Sequence, residues 1–313
     1  MFLSGRRHSA AARPALISAL VDALRAYGDT IALDDVHRRP VTRRRLLFGA
    51  ALMGRALARG TEPGDRVGLA GEFSRDCVLA LLGLILFGRV PVLLPARGQA
   101  WEAEAALRLT RLVVSRTGPL QAGPWPTVVI EDVRECLTSW DSLRAALDAR
   151  LLVAGRWRIP GREGPVPIGF GHAALDLAQD DLVRDAEQIA GLVETSLGPG
   201  DVVYLMEPLP ARVGLTAGLI PGLLKGACVM LDSGHLPVAA TASLINGSGV
   251  TVLIASGEAL EWLAPMHGAL RAGELRTVIA GTEMTAAARE HWRGSGIKVI
   301  DAINADAGRE VTA

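Results

Sequence analysis

Residues 63–94 read PGDRVGLAGEFSRDCVLALLGLILFGRVPVLL, and this stretch decides the fold class. Its two short apolar runs, 66–70 and 90–94, have the length and composition of buried strands. Residues 75–87 between them are long enough for a helix, which Gly88 ends. Two strands joined by such a helix require a right-handed crossover, so the stretch predicts a parallel sheet covered by helices on both faces.

The alternation of strand and helix continues on both sides of this stretch. Towards the N-terminus it predicts a helix from Leu16 that ends at Gly28, a strand at 30–33 and a helix capped by Thr42. Further helices are predicted at 103–109, 142–152, 182–192, 215–224, 239–245 and 257–264. Further strands are predicted at 112–115, 127–130, 202–206, 227–231, 250–254, 277–280 and 298–300. The fold class is therefore α/β.

A change in composition divides the chain. Residues 155–171 are rich in glycine, proline and arginine, which is typical of a linker. We therefore predict two stacked subdomains, each with a mainly parallel sheet flanked by helices. Residues 1–160 form the N-terminal α/β subdomain, and residues 161–313 form a second α/β subdomain.

The charge balance and the apolar pattern exclude two classes of partner. Lysine plus arginine and aspartate plus glutamate each number 33, so no net charge draws the chain to nucleic acid or to an anionic membrane. The longest apolar stretch, 78–94, is interrupted by Gly88, Arg89 and Pro91 and cannot supply the roughly 20 apolar residues of a membrane span. The three arginines at 43–45 are interpreted as the solvated face of a helix start.

The cysteines favour a reducing compartment. Cys77, Cys136 and Cys228 are odd in number and widely spaced, and we predict a cytoplasmic protein. The six histidines do not cluster with them at metal-ligand spacing, so no structural metal is predicted.

Several segments resemble the adenylate-forming superfamily of acyl-CoA synthetases, acyl carrier protein synthetases and luciferases. VTRRRLLFGAALMGRALARGTEPGDRVGLAG at 41–71 and LALLGLILFGRVPVLLPA at 79–96 are similar to its opening helices and strands. VIEDVRECLTSWDSLRAAL at 129–147 is closest to the acyl-acyl carrier protein synthetase domain. RVGLTAGLIPGLLKGACVML at 212–231 resembles the segment leading into the acyl pocket, and TVIAGTEMTAAAREHW at 277–292 resembles the adenine-contacting loop with the helix that follows it. The resemblance implies the fold of the family's N-terminal domain and, since the sequence stops at 313, absence of its C-terminal lid domain.

The same resemblance implies an ATP site, of which most parts are missing here. The family holds the ATP phosphates with a loop rich in glycine, serine and threonine that ends in a PKG sequence. Residues 165–174 read PVPIGFGHAA, with Ala173 at the lysine position. We assign three residues to this degenerate phosphate loop: Gly169, Gly171 and His172. The family's aromatic-glycine-x-threonine-glutamate signature is replaced by INADA at 303–307, and Ala211 replaces the histidine that precedes the acyl segment.

Other candidate residues follow from the parts that are kept. The nucleotide-binding candidates are Gly281, Thr282, Glu283 and Asp306. The acyl-pocket candidates are Gly214, Leu215, Thr216 and Gly218, for which a helix start packed into the core is the structural alternative. No residue is assigned as catalytic or as a metal ligand. ATP or AMP with magnesium is the cofactor that the resemblance implies, and the missing groups argue against it.

These losses favour a catalytically impaired pseudoenzyme that binds an acyl group, an acyl carrier protein or a partner protein. The alternative is an active AMP-forming fatty acid ligase, which would make an acyl-adenylate from ATP and a carboxylate with a non-standard phosphate loop or a partner chain. A role as a homo-oligomer or as the partner of an intact synthetase is also left open, as is a chain without selected activity. An exposed apolar patch would favour a protein partner.

Overall fold

A computed structural model describes residues 15–36, 40–70, 74–94, 109–114, 125–157, 166–170, 175–192, 197–206, 211–232, 236–269 and 274–302. Its strands are β1 (Ile31–Asp35), β2 (Val41–Thr42), β3 (Arg66–Ala70), β4 (Val90–Leu94), β5 (Arg111–Val114), β6 (Thr127–Val129), β7 (Ile168–Phe170), β8 (Leu175–Leu177), β9 (Val202–Leu205), β10 (Cys228–Leu231), β11 (Val252–Ala255), β12 (Thr277–Ala280) and β13 (Lys298–Asp301).

The helices are α1 (Ala15–Tyr27), α2 (Arg43–Leu57), α3 (Arg75–Leu86), α4 (Ile130–Glu135), α5 (Ser139–Val153), α6 (Gln179–Leu192), α7 (Ala211–Val213), α8 (Ile220–Leu224), α9 (Val238–Ser248), α10 (Gly257–Leu263) and α11 (Ala286–Gly294). A π-helical segment, Gly214–Leu219, joins α7 to α8, and a 3₁₀-helix, Ala264–Ala269, follows α10. The helix predicted at 103–109 lies almost entirely outside the described residues.

The strands form two mainly parallel sheets, which confirms the predicted α/β class. One sheet has the order β13-β12-β11-β9-β10-β1-β2, and the other has the order β6-β5-β3-β4-β7-β8. The edge pairs β1–β2 and β7–β8 are antiparallel, and the other pairs are parallel. Since parallel strands share a direction, the loops that follow β9 to β13 all leave from one edge of the larger sheet.

Each sheet contains strands from both sides of the predicted division of the chain at residue 160. Strands β1 and β2 precede the division but extend the sheet formed by β9 to β13. Strands β7 and β8 follow it but extend the sheet built around β3 and β4. Strand β7 also lies inside the segment 155–171 that was predicted to be a linker, so that prediction is wrong for residues 168–170.

Helices fill the space between the sheets. Helix α3 contacts β3 and β4 of one sheet and β1 of the other. Helix α2 packs on α3 and α5, and α1 packs on α6 and α8. Their buried faces belong to one continuous apolar core that includes Leu16, Leu46, Leu84 and Leu223.

The start of α2 shows one confirmed prediction and one correction. The hydroxyl of Thr42 accepts a hydrogen bond from the backbone N–H of Arg45, as expected of an N-cap. Arg43 is buried, so its assignment to a solvated face is wrong. Its guanidinium donates to the carbonyls of Leu223 at 2.7 Å and Ala227 at 3.0 Å. Leu223 lies in the last turn of α8 and Ala227 directly precedes β10, so Arg43 satisfies two carbonyls at the C-terminal end of α8 and in the turn that follows it.

Candidate functional site

The degenerate phosphate loop lies at the end of a short hairpin. Strand β7 pairs with β8 in the register Ile168 to Leu177 and Phe170 to Leu175, so four residues, 171–174, connect the two strands. Their sequence is Gly-His-Ala-Ala, which contains no serine, threonine or lysine. Gly171 and His172 themselves lie outside the described residues. The connection therefore does not offer the hydroxyl and lysine side chains of the loop that the resemblance implies.

Gly169 lies within strand β7 rather than in the loop. It faces Val92 of β4 on one side and Asp176 of β8 on the other. The side chain of Arg66 crosses over it and donates to the Asp176 carboxylate at 2.7 and 3.0 Å. A Cβ atom at position 169 would come within 3.0 Å of both Arg66 Nη2 and Asp176 Oδ1. The absence of a side chain thus makes room for an ion pair.

The adenine-loop candidates follow β12 and pack against the start of α10. The N–H of Gly281 donates to the carbonyl of Ala255 at 2.8 Å. The hydroxyl of Thr282 accepts the N–H of Gly257 at 2.8 Å. The Glu283 carbonyl lies so close to Gly257 that a Cβ atom there would be 1.8 Å from its oxygen. Gly281 is buried, Thr282 is half-buried and Glu283 is exposed.

The acyl-segment candidates are buried in the π-helical segment. Gly214, Leu215, Thr216 and Gly218 all lie within it, and every one of its residues is buried. The Thr216 hydroxyl donates to the carbonyl of Arg212 at 2.9 Å. A Cβ atom at Gly218 would lie 2.6 Å from Leu205 Cδ1 of β9, so the segment packs directly on the sheet. Wide turns of this kind recur at functional sites, and the sequence pattern, which predicted one regular helix, missed it.

A buried Tyr204–Asp232 pair is a further feature that the sequence analysis missed. Tyr204 lies on β9, Asp232 directly follows β10, and the phenol donates to the carboxylate at 2.7 Å. Their exposed fractions are 0% and 1%. Burial, reinforced by the neighbouring carboxylate, raises the pKa of Tyr204 far above its ordinary value. The tyrosine therefore remains a neutral hydrogen-bond donor rather than an acid-base group. A lone tyrosine in the apolar run VVYL was the available signal.

The loop after β12 and Asp232 share one edge of the larger sheet. Strands β10 and β12 are parallel members of that sheet, so Asp232 and Gly281 both leave from its carboxyl edge. This is the edge where open α/β sheets bind ligands. Asp306 lies outside the described residues. Within the described ranges, no three metal-ligating side chains converge on a common point, and no helix is long and apolar enough to cross a membrane.

Comparison with known proteins places the fold. No family model matches the sequence. The N-terminal subdomain of Klebsiella oxytoca NpsA in complex with anthranilyl-AMSN is similar with a TM-score of 0.73 at 16% identity, over 94% of this chain and 73% of that chain. NpsA-ThdA, an artificially fused adenylation-PCP di-domain from Klebsiella oxytoca, gives a TM-score of 0.70 at 16% identity, over 92% of this chain and 53% of that chain.

A third solved structure extends the likeness to a CoA ligase. The anthranilate CoA ligase AuaEII in complex with anthranoyl-AMP gives a TM-score of 0.67 at 18% identity, over 91% of this chain and 58% of that chain. This chain therefore has the fold of the N-terminal part of adenylate-forming enzymes, as the resemblance implied. It spans little more than half the length of AuaEII and of the fused di-domain.

Proposed function

We propose that this chain is a non-adenylating binding protein built on an adenylation-domain fold. The observation that carries the proposal is the four-residue connection, 171–174, between β7 and β8. A loop that holds ATP phosphates needs backbone donors, hydroxyl groups and a lysine arranged around three anionic groups. Gly-His-Ala-Ala supplies no hydroxyl and no amine.

The cost of such a loss is large. Removing one preorganised donor or charge from a site that stabilises developing negative charge typically raises the activation barrier by about 3–4 kcal/mol. The replacement of the glutamate signature by INADA at 303–307 removes a second group, which the resemblance assigns to the α-phosphate and magnesium. Two such losses together reduce adenylation by several orders of magnitude.

The retained candidate residues make structural contacts. Thr282 uses its hydroxyl on the backbone of Gly257, and Gly218 brings the π-helical segment against Leu205. These contacts support the interpretation that Gly281, Thr282 and Gly218 are present because the fold needs them. With adenylation disfavoured, the proposed activity is binding of an acyl group or of a protein.

The partner belongs to the proposal as well. The segment at 129–147 resembles acyl-acyl carrier protein synthetases, and the similar structure NpsA-ThdA joins an adenylation domain to a PCP. We propose an acyl group or an acyl carrier protein as the ligand and a reducing, cytoplasmic setting. The three cysteines of this chain, Cys77, Cys136 and Cys228, all lie in its described part and form no disulfide with one another.

One observation favours a second candidate, the active AMP-forming ligase. Gly281, Thr282 and Glu283 directly follow β12 at the carboxyl edge of the sheet, the edge at which open α/β sheets bind ligands, and Glu283 is exposed. The ligase would then obtain its phosphate-binding groups from another chain.

ATP–pyrophosphate exchange separates the two candidates. The purified chain is incubated with magnesium, ATP, labelled pyrophosphate and, in separate reactions, medium-chain and long-chain fatty acids and anthranilate. An intact adenylation domain serves as the positive control. We expect exchange at the level of the blank without protein for every acid. Exchange that depends on one of the acids would establish adenylation and reject the non-adenylating function.

A further inference from the structure

Helix α5 buries two carboxylates and exposes three large apolar side chains. Its carboxylates Asp141 and Asp148 are buried and form ion pairs with Arg59 and Arg55 of α2. Three of its large apolar side chains point to solvent: Trp140, Leu143 and Leu147 are 69%, 60% and 56% exposed, whereas Leu152 is buried in the core. Asp148 accepts from Arg55 Nη2 at 2.8 Å, so the ionic contacts hold the helix in this orientation.

The exposed residues form one continuous stripe. Positions 140, 143 and 147 are spaced as i, i+3 and i+7, which places them on the same face of a helix. Single exposed apolar residues are ordinary, but three large ones in a row on one helix face mark an interaction surface.

A groove lies beside this stripe. It has a volume of about 750 Å³ and runs between the end of α1, the start of α2 and the second half of α5. Its apolar lining consists of Leu24, Leu47, Phe48, Ala146, Ala149, Val153 and Ala154. The stripe residues do not line the groove, but Leu147 directly follows the lining residue Ala146, so stripe and groove adjoin along α5; we call the two together the α5 groove.

The rim of the α5 groove is positively charged. Arg25, Arg44, Arg45 and Arg150 line it, whereas Asp29 is the acidic residue in the same lining. Asp29 lies 3.9 Å from Arg44, and Arg25 is paired with Asp22 at 2.7 Å. Arg45 and Arg150 add positive charge on two sides of the groove, and Arg144 lies next to Leu143 on the outer face of α5.

The α5 groove is separate from the carboxyl-edge site. Gly28 and Asp29 line it and directly precede β1, whose direction is that of β10. The groove therefore lies at the amino edge of the larger sheet, opposite the edge from which Gly281 leaves.

Charge decides which occupant fits. A second copy docked through the same surface would bring one arginine rim against the other. The chain's own residues 1–14 carry Arg6, Arg7 and Arg13 and no carboxylate, so they are disfavoured for the same reason. A membrane presents a broad surface, whereas a concave groove between three helices accepts a rod.

We propose that the α5 groove is a docking site for an acidic amphipathic helix of a protein partner. Apolar side chains of that helix, spaced i, i+3 or i+4 and i+7, enter the groove over the half-buried Phe48 and Val153. Acidic side chains on its flanks face Arg45 and Arg150. Trp140 and Leu147 cover its outer side and exclude water from the contact.

A pair of synthetic peptides tests this assignment. The first is a labelled helical peptide of about five turns with leucines on one face and glutamates beside them; the second has lysine in place of every glutamate. Fluorescence anisotropy with the full chain is expected to show saturable binding of the acidic peptide and at least about tenfold weaker binding of the basic peptide.

Variants locate the binding surface. The double variant Arg45→Glu with Arg150→Gln and, separately, Leu147→Ala with Trp140→Ala should each weaken the acidic peptide by about tenfold or more. A glutamate at position 45 lies in the first turn of α2, where the helix dipole favours it, so the fold is retained. Trp262→Ala on α10 is the matched control: it removes another exposed tryptophan, 56% exposed, outside the α5 groove and should leave binding unchanged.

Five outcomes would overturn the proposal, and two of them would identify another occupant. The first three are no binding of the acidic peptide, equal binding of the two peptides, and unchanged binding of the acidic peptide by the Arg45/Arg150 variant. The fourth is tighter binding to phosphatidylglycerol vesicles than to the acidic peptide, provided that Trp140→Ala abolishes the vesicle binding. The vesicle result would identify a membrane surface as the occupant. Self-association of the chain that Leu147→Ala abolishes, without any peptide binding, would instead identify a second copy.

Discussion

The guanidinium of Arg66 forms a two-point ion pair with the carboxylate of Asp176, at 2.7 and 3.0 Å, across the top of Gly169. Arg66 lies on β3 and Asp176 on the edge strand β8, so the pair spans β4 and β7 and joins the edge strand to the body of the sheet. Because β7 ends at Phe170 and β8 begins at Leu175, residues 171–174 connect the two strands.

Replacing Gly257 by alanine should disturb the loop that follows β12. The added Cβ atom would lie 1.8 Å from the Glu283 carbonyl oxygen, which belongs to the backbone and cannot rotate away. We expect a loss of about 1–3 kcal/mol in the free energy of unfolding and faster hydrogen exchange at 281–283. Chemical denaturation and exchange mass spectrometry measure both.

Gly294→Ala is the control for that substitution. A Cβ atom at Gly294, in the last turn of α11, meets no atom within 4 Å, so this change should stabilise the chain by about 0.5–1 kcal/mol. Equal effects of the two substitutions would contradict the close packing of Gly257 against Glu283.

Arg43→Met should destabilise the chain strongly. The variant leaves the carbonyls of Leu223 and Ala227 without their buried charged donor. A hydrogen bond to a charged group contributes about 1.5–3 kcal/mol, so a total loss of at least about 3 kcal/mol is expected. Arg44→Met, at the exposed neighbouring position, should change the free energy of unfolding by less than about 0.5 kcal/mol. Urea titrations of both variants check the difference, and similar midpoints would rule out the structural role of Arg43.

The Tyr204–Asp232 pair predicts an unusual alkaline titration. Because the folded pKa of Tyr204 is raised, the stability that this group contributes is fully present below its unfolded pKa of about 10 and is lost as the pH rises further. The chain has two tyrosines, so Tyr27→Phe leaves Tyr204 as the one reporter. Tyrosinate absorbance in this variant should appear only together with loss of the folded circular dichroism. A reversible ionisation near pH 10 with the fold intact would contradict burial of Tyr204.

The regular framework could be predicted from the sequence because its strands are continuous apolar runs bounded by turns. Strands Arg66–Ala70, Val90–Leu94 and Thr277–Ala280 have the predicted bounds. Their composition alone favours a buried parallel strand, and no distant partner is needed to recognise it.

The candidate site could be predicted only in part, since its key features depend on register between distant segments. Strands β7 and β8 are three residues each, too short for a pattern to reveal; β7 is a strand because it pairs with β4, and β8 because it pairs with β7. Tyr204 meets Asp232 because β9 and β10 are adjacent. The orientation of α5 depends on Arg55 and Arg59 of another helix, and the local pattern of leucines does not reveal it.

Calorimetric titration with ATP and with AMP, each in magnesium, tests the central claim most directly. The account predicts no saturable heat at millimolar nucleotide, since the connection at 171–174 supplies no phosphate-binding side chain other than a single histidine. Saturable binding at micromolar nucleotide would contradict the account, because it would mean that other groups of this chain hold the phosphates and that adenylation is within its reach.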